Sequence, residues 1–339
     1  MKAVWAGCLL CVVLVSFNEF DKLNSVRSFH LNGHAQGTTW SAIYYAEDSL
    51  VRRHEIDSVL DMIDSSMSLY KPYSAIVRFN SSKTGVKIDG HFRKVVEHAL
   101  QVSEETNGLF DITIGALSNA WGFGTQPHHG VARKRDISRI RNKCTGFKKI
   151  RLDGDSLVKQ NPCIQLDVNG IAQGYTVDLL AALFESKGLQ NYLVEIGGEI
   201  RVSGKKQPGG EPFRIGIEAP GEESFADEFD RKLISVDRGA VTTSGSYRKF
   251  IENKGQRLSH IIDPRTGYPT KNQVVSVTVV AKDATTADAY DNVLMLMKIN
   301  EAIQFAETRG LHAHFVYQHP DGSLTDTATS NWNIIEYKR

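Results

Sequence analysis

Apolar residues recur along this chain at two periods. In "TTWSAIYY" they alternate with polar ones and are β-branched or aromatic, which predicts a strand. From Ile56 they fall at Leu60, Ile63 and Met67, spacings of four, three and four that predict a helix. "GHFRKVVEHALQVSEETNG" predicts a second amphipathic helix, with Phe92, Val96 and Ala99 inward and Gly108 beyond its end. A third helix is expected from near Ile171 to a stop at Gly188, and a last pair between Thr286 and Arg309. "NYLVEIGGEIRVSG", "FRIGIEAP", "VVSVTVVAK", "HAHFVYQ" and "WNIIEYK" read as strands. Strands outnumber helices and come in runs, which points to an α+β fold and not to a doubly wound parallel sheet.

The 339 residues suffice for one large domain or two ordinary ones. The turn-rich stretches "KKQPGGEP" and "APGEESFADEFD" lie between strands that look paired, so one domain over 21–339 is expected. Apolar residues make up 41% and charged ones 23%, the balance of a chain with a sizeable core. A net charge of +1 argues against nucleic acid as the main partner.

The N-terminus departs from this balance. "MKAVWAGCLLCVVLVSF" carries Lys2 and then an apolar run from Ala3 to Val15, too short for the roughly 20 residues of a membrane span. Residues 1–20 therefore read as a secretory signal or an uncleaved anchor, giving an extracytoplasmic protein with membrane association through this segment. Trp5-Ala6-Gly7-Cys8 ends like a lipoprotein box, although the apolar core follows Cys8 instead of preceding it. Export permits a disulfide between Cys144 and Cys163, but two small half-buried side chains are the favoured reading.

Five stretches carry more polar or glycine punctuation than folding alone requires. In "GLFDITIGAL", Asp111 and Thr113 interrupt a strand-like run, so Asp111 either binds something or caps the following segment. "QLDVNGIAQGYTVDLL" passes through Asn169 and Gly170 into a helix whose N-terminal amides suit an anion; tight packing explains it equally well. Gly197-Gly198 suggests a bulge or a close ligand contact. "VTTSGSYR", ending at Arg248, suits phosphate or ribose, with a Ser/Thr-rich turn as the commoner explanation. In "TTADAYDN", Asp288, Asp291 and Asn292 share one helical face, and such oxygen ligands suit Mg²⁺. The other reading there is capping by Thr285 or Thr286, with the acids complementing the helix dipole.

"RLSHIIDPRTGYPT" adds a histidine beside a stiff turn. Pro264 holds Asp263 extended and Gly267 releases the chain, so His260 sits on a rigid segment, as an acid–base group needs. A surface histidine next to a structural turn is the alternative.

In order and wording these stretches, with "QGTTWSAIYY", "MSLYKPYSAIVRFN" and "GLFDITIGALSNAWGFG", resemble the ApbE family of FAD:protein FMN transferases. The resemblance spans almost the whole mature chain. It implies a single domain of mixed, largely antiparallel sheet packed with helices. It implies FAD as substrate and Mg²⁺ as metal, with FMN joined through its phosphate to a threonine or serine of acceptor flavoproteins in extracytoplasmic electron transfer, and AMP released. Hydrolysis of FAD to FMN and AMP, or FAD binding without chemistry, are the rival readings.

Carried over by residue, Gly170, Asp288, Asp291 and Asn292 would form the metal site. Gln36, Tyr70, Leu109, Phe110, Asp111, Asp167, Gln173 and Ile262 would contact FAD, and His260 would be the base. Many relatives carry lysine where Gln173 stands, threonine where Asn292 stands and methionine where Gln36 stands. The expected consequences are a missing phosphate-side charge, altered metal affinity and an altered FAD contact.

Overall fold

In the computed structural model, residues 26–126, 133–217, 232–247, 250–253 and 256–332 are described. The N-terminal segment, Arg248, the "APGEESFADEFD" stretch and most of "WNIIEYK" lie outside them. Strands β1 (Arg27–Ala35), β2 (Thr38–Ala46), β6 (Tyr192–Ile196), β7 (Glu199–Ser203), β10 (Arg238–Gly245), β15 (Val274–Ala281), β16 (His312–Gln318) and β17 (Leu324–Ala328) form one sheet. They lie in the order β1-β2-β6-β7-β10-β15-β16-β17, and every neighbouring pair is antiparallel. The remaining strands are short and stand apart from it. β3 (Gly85–Lys87), β4 (Ile150–Asp153) and β5 (Ser156–Lys159) form a three-stranded sheet. β8 (Arg214–Gly216) pairs with β9 (Leu233–Ser235), β11 (Phe250–Asn253) with β12 (Gln256–Ser259), and β13 (Ile262–Asp263) with β14 (Tyr268–Pro269).

Period two along the strands divides the core. Trp40, Ala42, Tyr44 and Ala46 of β2, Tyr192, Val194 and Ile196 of β6, and Val277 and Val279 of β15 face the main core. The intervening Tyr45, Leu193 and Val280 join a smaller cluster with Phe213, Ile215, Ile234 and Trp332. A one-residue slip would exchange these faces, so the pattern sets the register. Trp40, Tyr44 and Tyr192 are almost wholly buried and give this core its largest side chains.

The helices are α1 (Arg53–Met67), α2 (Ala75–Ser81), α3 (Gly90–Glu105), α4 (Gly115–Trp121), α5 (Lys134–Cys144), α6 (Ala172–Ser186), α7 (Ala284–Met295) and α8 (Ile299–Thr308). The predicted stripe Ile56, Leu60, Ile63 and Met67 is buried in α1, and Phe92, Val96 and Ala99 are buried in α3. Gly108 and Gly188 adopt φ of 76° and 77° just past their helices, the left-handed stop that glycine allows. Helix α6 packs on β6 and β7, α7 packs on β10 and β15, and the two helices pack on each other.

Four expectations are corrected. "NYLVEIGGEIRVSG" is a hairpin, β6 and β7 joined at Gly197-Gly198 by Ile196 pairing with Glu199, so the glycines form a two-residue tip and no bulge. "VTTSGSYR" lies mostly within central strand β10 and not in a turn; Thr242 is buried there and the Thr243 hydroxyl meets that of Thr278 at 2.9 Å. The apolar run at 108–114 is a chain of turns, because Asp111 folds it back on itself. Cys144 and Cys163 are bonded, with Cα atoms 5.1 Å apart, joining the end of α5 to the segment that leads into Asp167.

Candidate active site

The start of α6 and the buried face of α7 meet. A Cβ on Gly170 would stand 3.0 Å from Asn292 Nδ2, and one on Gly174 would strike the Ala284 carbonyl oxygen at 2.3 Å, so glycine is what lets the backbones close. Across this contact the Gly174 amide donates to Asp288 Oδ2 at 2.9 Å. Asn292 Nδ2 donates to Asp291 Oδ1 and to the Asp288 carbonyl, both at 2.9 Å. Asp288 and Asp291 are 3% and 1% exposed, a depth at which carboxylates need a compensating charge or bond. Burial, followed by the nearby charge of Asp178, pushes the Asp288 carboxyl well above the usual carboxylate range, against the Gly174 bond.

Of the expected metal residues, Asn292 thus meets Gly170, Asp291 and the Asp288 carbonyl, and Asp288 meets Gly174. Two carboxylates, an amide oxygen and a main-chain carbonyl are hard donors of the kind Mg²⁺ takes, so the residues fit that ion. Among the described residues no group of three or more His, Cys, Asp or Glu is arranged to hold a metal, so the amide and the main chain must complete any such site.

Capping of α7 corrects the sequence reading. Asp283 is the N-cap, accepting from the Thr286 amide at 2.8 Å. Asp178 of α6 takes the Ala284 and Thr285 amides at 2.9 and 2.8 Å and the Thr285 hydroxyl at 2.6 Å. It also pairs with Arg201 at 3.3 Å. Sequence reasoning missed Asp178; its one signal was an acid in an apolar stretch, four residues after Gly174.

Asp111 and Asp167 lie on adjacent backbone segments. The Asp167 amide donates to the Ile112 carbonyl at 2.8 Å, and the Gly115 amide to that of Gln165 at 3.1 Å. Asn80, also missed, clamps Leu166 through its amide oxygen at 2.7 Å and its amide nitrogen at 3.0 Å. The Asp111 carboxylate accepts from Thr113 N, Thr113 Oγ1 and Phe147 N at 2.8, 2.6 and 2.8 Å. Its side chain therefore shapes this turn, and burial pushes its pKa up. Leu109 and Phe110 are buried in the main core. Tyr70 is 72% exposed, on the turn between α1 and α2.

Two hairpin tips close over the first turns of α6. Gln36-Gly37 joins β1 to β2 with φ of 52° and 78°, and Gly197-Gly198 has φ of 62° and 109°. Positive φ at both central residues is the requirement of the type I′ hairpin turn, whose twist matches that of the flanking strands. Gln36 Nε2 donates to Thr176 Oγ1 at 2.8 Å. A Cβ on Gly197 would stand 2.9 Å from both Gln173 Nε2 and Thr38 Cγ2. Gln36 thus reaches Thr176 of α6, and the Gly197 tip stands against Gln173 of the same helix.

His260 belongs to a separate wall. It follows β12 and precedes β13, whose Ile262 and Asp263 pair with Pro269 and Tyr268 of β14. The Asp263 carboxylate accepts from the Arg265 amide at 2.8 Å and from its guanidinium at 3.1 and 3.2 Å, so it shapes the turn. Ile262 is buried with Leu117, Trp121 and Ile137 of α4 and α5, and Trp121 Nε1 donates to the Gly267 carbonyl at 2.8 Å. Phe123 presents an edge-on ring 6.4 Å from that of His260, a neighbour that sequence reasoning did not single out. The Asn272 amide, farther along, donates to the Met295 carbonyl at 3.2 Å, which ties this wall to the end of α7.

Comparison with known proteins agrees in sequence and in shape. The chain matches the model of the ApbE family over residues 36–315. It is 36% identical over 324 residues to the FAD:protein FMN transferase of Vibrio cholerae, covering 94% of this chain and 95% of that one. It is 31% identical to that of Haemophilus influenzae over the full length of both. Among solved structures, the flavin transferase ApbE from Vibrio cholerae superposes with a TM-score of 0.82 at 33% identity, covering 91% of this chain and 99% of that one. The apo flavinyl transferase ApbE of Pseudomonas stutzeri gives 0.81 at 33% identity, covering 91% and 97%. Matched by the family model over residues 36–315 and more than 30% identical to these two relatives over nearly their whole length, this chain is a member of the ApbE family.

Proposed function

We propose that this chain is a Mg²⁺-dependent FAD:protein FMN transferase. It joins FMN through a phosphoester bond to a threonine or serine of acceptor flavoproteins and releases AMP. The observation that carries this reading is the closure of Gly170 and Gly174 on Asn292 and Asp288, in a chain whose relatives bear that enzyme name. Bound by the Gly170 carbonyl, Asp288, Asp291 and Asn292, Mg²⁺ would supply neutralisation of phosphate charge, which phosphoryl transfer needs more than covalent help.

The chain's own groups have separate tasks. His260, held by the Asp263 turn and the α4–α5 wall, takes the proton of the acceptor hydroxyl. That oxygen bonds to the FMN phosphorus as the bond to the bridging pyrophosphate oxygen breaks, and AMP leaves with that oxygen. Exposed Tyr70 offers a ring face for stacking, and the Asp111–Asp167 segments offer main-chain groups.

The N-terminal apolar run and the Cys144–Cys163 bond support work outside the cytoplasm, on acceptors of extracytoplasmic electron transfer, with the N-terminus as signal or anchor. Incubation with FAD, Mg²⁺ and a candidate acceptor, followed by mass spectrometry of protein and nucleotide, tests the reading. FMN on the acceptor together with AMP is expected. AMP with an unmodified acceptor would mark hydrolysis, and no AMP under any condition would overturn enzymatic function.

A further inference from the structure

Lys159 ends β5 and is 7% exposed. Its Nζ stands 4.8 Å from the centre of the Phe79 ring and donates to three carbonyls. These are Phe79 at 2.9 Å, Asn80 at 3.4 Å and Ile164 at 2.8 Å. The first two lie at the C-terminal end of α2, the end of a helix that favours a cation. The third begins the segment that runs through Asp167 to Gly170. Burial alone pushes the Lys159 pKa down to about 8, so at neutral pH the group is an ammonium. It then has three N–H donors for three carbonyls, where an amide would have two. The next three residues after Ile164 are tied as well: Gln165 to the Gly115 amide, Leu166 to the Asn80 side chain and Asp167 to the Ile112 carbonyl. Lys159 therefore holds both the start of this segment and the backbone of Asn80, the residue that clamps its middle. Among the described residues no carboxylate pairs with this ammonium. Burying it costs stability that an apolar side chain of the same length would not, so stability alone does not account for a lysine here.

We infer that Lys159 is a positioning residue of the transfer site: its ammonium locks residues 164–170 against the end of α2 and so sets where Asp167 and the Gly170 carbonyl stand. The inference rests on the flavin reading above, which gives those two groups to FAD and Mg²⁺. Lys159 touches neither ligand. It acts through the Ile164 carbonyl and through Asn80, and three N–H bonds in fixed directions hold a loop more exactly than apolar contact does. The Cys144–Cys163 bond anchors the same segment one residue ahead of Ile164, so Lys159 and the disulfide restrain it from two sides. A small displacement of such a segment is enough to spoil a site that works by alignment.

Steady-state AMP release by the full chain, titrated with FAD and with Mg²⁺ well below every melting midpoint, tests this. The variants are Lys159→Met, which keeps the length and removes the donors, and Lys159→Gln, which keeps two of them. Phe213→Leu, in the smaller cluster, is the control for general loosening. Lys159→Met is expected to raise the KM for FAD and the half-saturating Mg²⁺ concentration at least about fivefold, with a smaller loss in kcat because the His260 wall is untouched. Lys159→Gln should fall between Met and wild type, and Phe213→Leu should stay within about twofold of wild type in both constants. If Lys159→Met does not fold, Lys159→Gln decides by the same criterion. Two results would overturn the inference: Lys159 variants that melt earlier but keep both constants, or a Phe213→Leu chain that shifts them equally. A wild type that releases no AMP from FAD with any acceptor or metal would instead bring down the flavin reading itself.

Discussion

The Gly174 amide donates to Asp288 Oδ2 at 2.9 Å, and this bond fixes how far α7 can stand from the start of α6. A Cβ at position 174 would lie 2.3 Å from the Ala284 carbonyl oxygen and 2.8 Å from Asp288 Cβ, so the helices must separate to admit it. Gly174→Ala is expected to cost about 1–3 kcal/mol as overpacking. It should also lower Mg²⁺-dependent turnover. Thermal melting and a Mg²⁺ titration of activity check both parts; an unchanged midpoint and titration would contradict this account of the contact.

Asp288→Asn should stabilise the metal-free protein while abolishing Mg²⁺-stimulated activity. Asp288 is 3% exposed and its folded pKa is raised by burial, so ionised Asp288 disfavours the native state. Between the unfolded value near 4 and the raised folded value, the native chain binds the extra proton and stability falls as pH rises. The gain from asparagine is therefore largest above the folded pKa and vanishes near pH 4. Melting of both proteins in EDTA across this range gives the comparison, and a pH-independent gap would refute the charge argument.

Removing Asp178 strips three hydrogen bonds from the first turn of α7 and the partner of Arg201. Asp178→Ala is expected to lose about 2–4 kcal/mol and to weaken Mn²⁺ binding, read by electron paramagnetic resonance. Asp178→Asn, which keeps an acceptor, should recover part of both. Equal damage in the two variants would show that charge and not capping is what matters.

His260→Ala should leave FAD binding nearly intact and slow transfer by about 10²–10⁴, the usual contribution of a general base. Fluorescence titration and single-turnover flavinylation separate the two effects. Loss of binding with preserved folding would make His260 a ligand contact instead.

The Cys144–Cys163 bond spans a sequence separation of 19, for which loop closure predicts about 3 kcal/mol. The double variant Cys144→Ser and Cys163→Ser should melt earlier by a corresponding amount, as should the reduced wild type. A reduced protein that melts with the oxidised one would mean that packing around α5 already holds these segments.

Legibility followed contact range. The α1 stripe, the α3 face and the glycine stops after α3 and α6 appear where periodicity predicts, because burial of a helix face or strand edge is written locally. The metal-candidate face of α7 was legible for the same reason, since Asp288, Asp291 and Asn292 are three and four residues apart. The hairpin at Gly197-Gly198 was misread because two glycines serve a bulge and a two-residue tip alike, and only the Ile196–Glu199 pairing decides between them. Asp178 was missed because its partners lie 106 and 107 residues away.

By itself the sequence determined which faces are apolar, where helices stop and which donors share a turn, since these depend on neighbours within a few residues. Tertiary structure alone decided that Gly170 meets Asn292, that Trp121 holds the Gly267 turn beside His260, and that Cys144 finds Cys163. An amphipathic pattern says that a surface must be covered and leaves open by what. That choice belongs to shape and to the pairing of buried polar groups, which exist only once distant segments have packed.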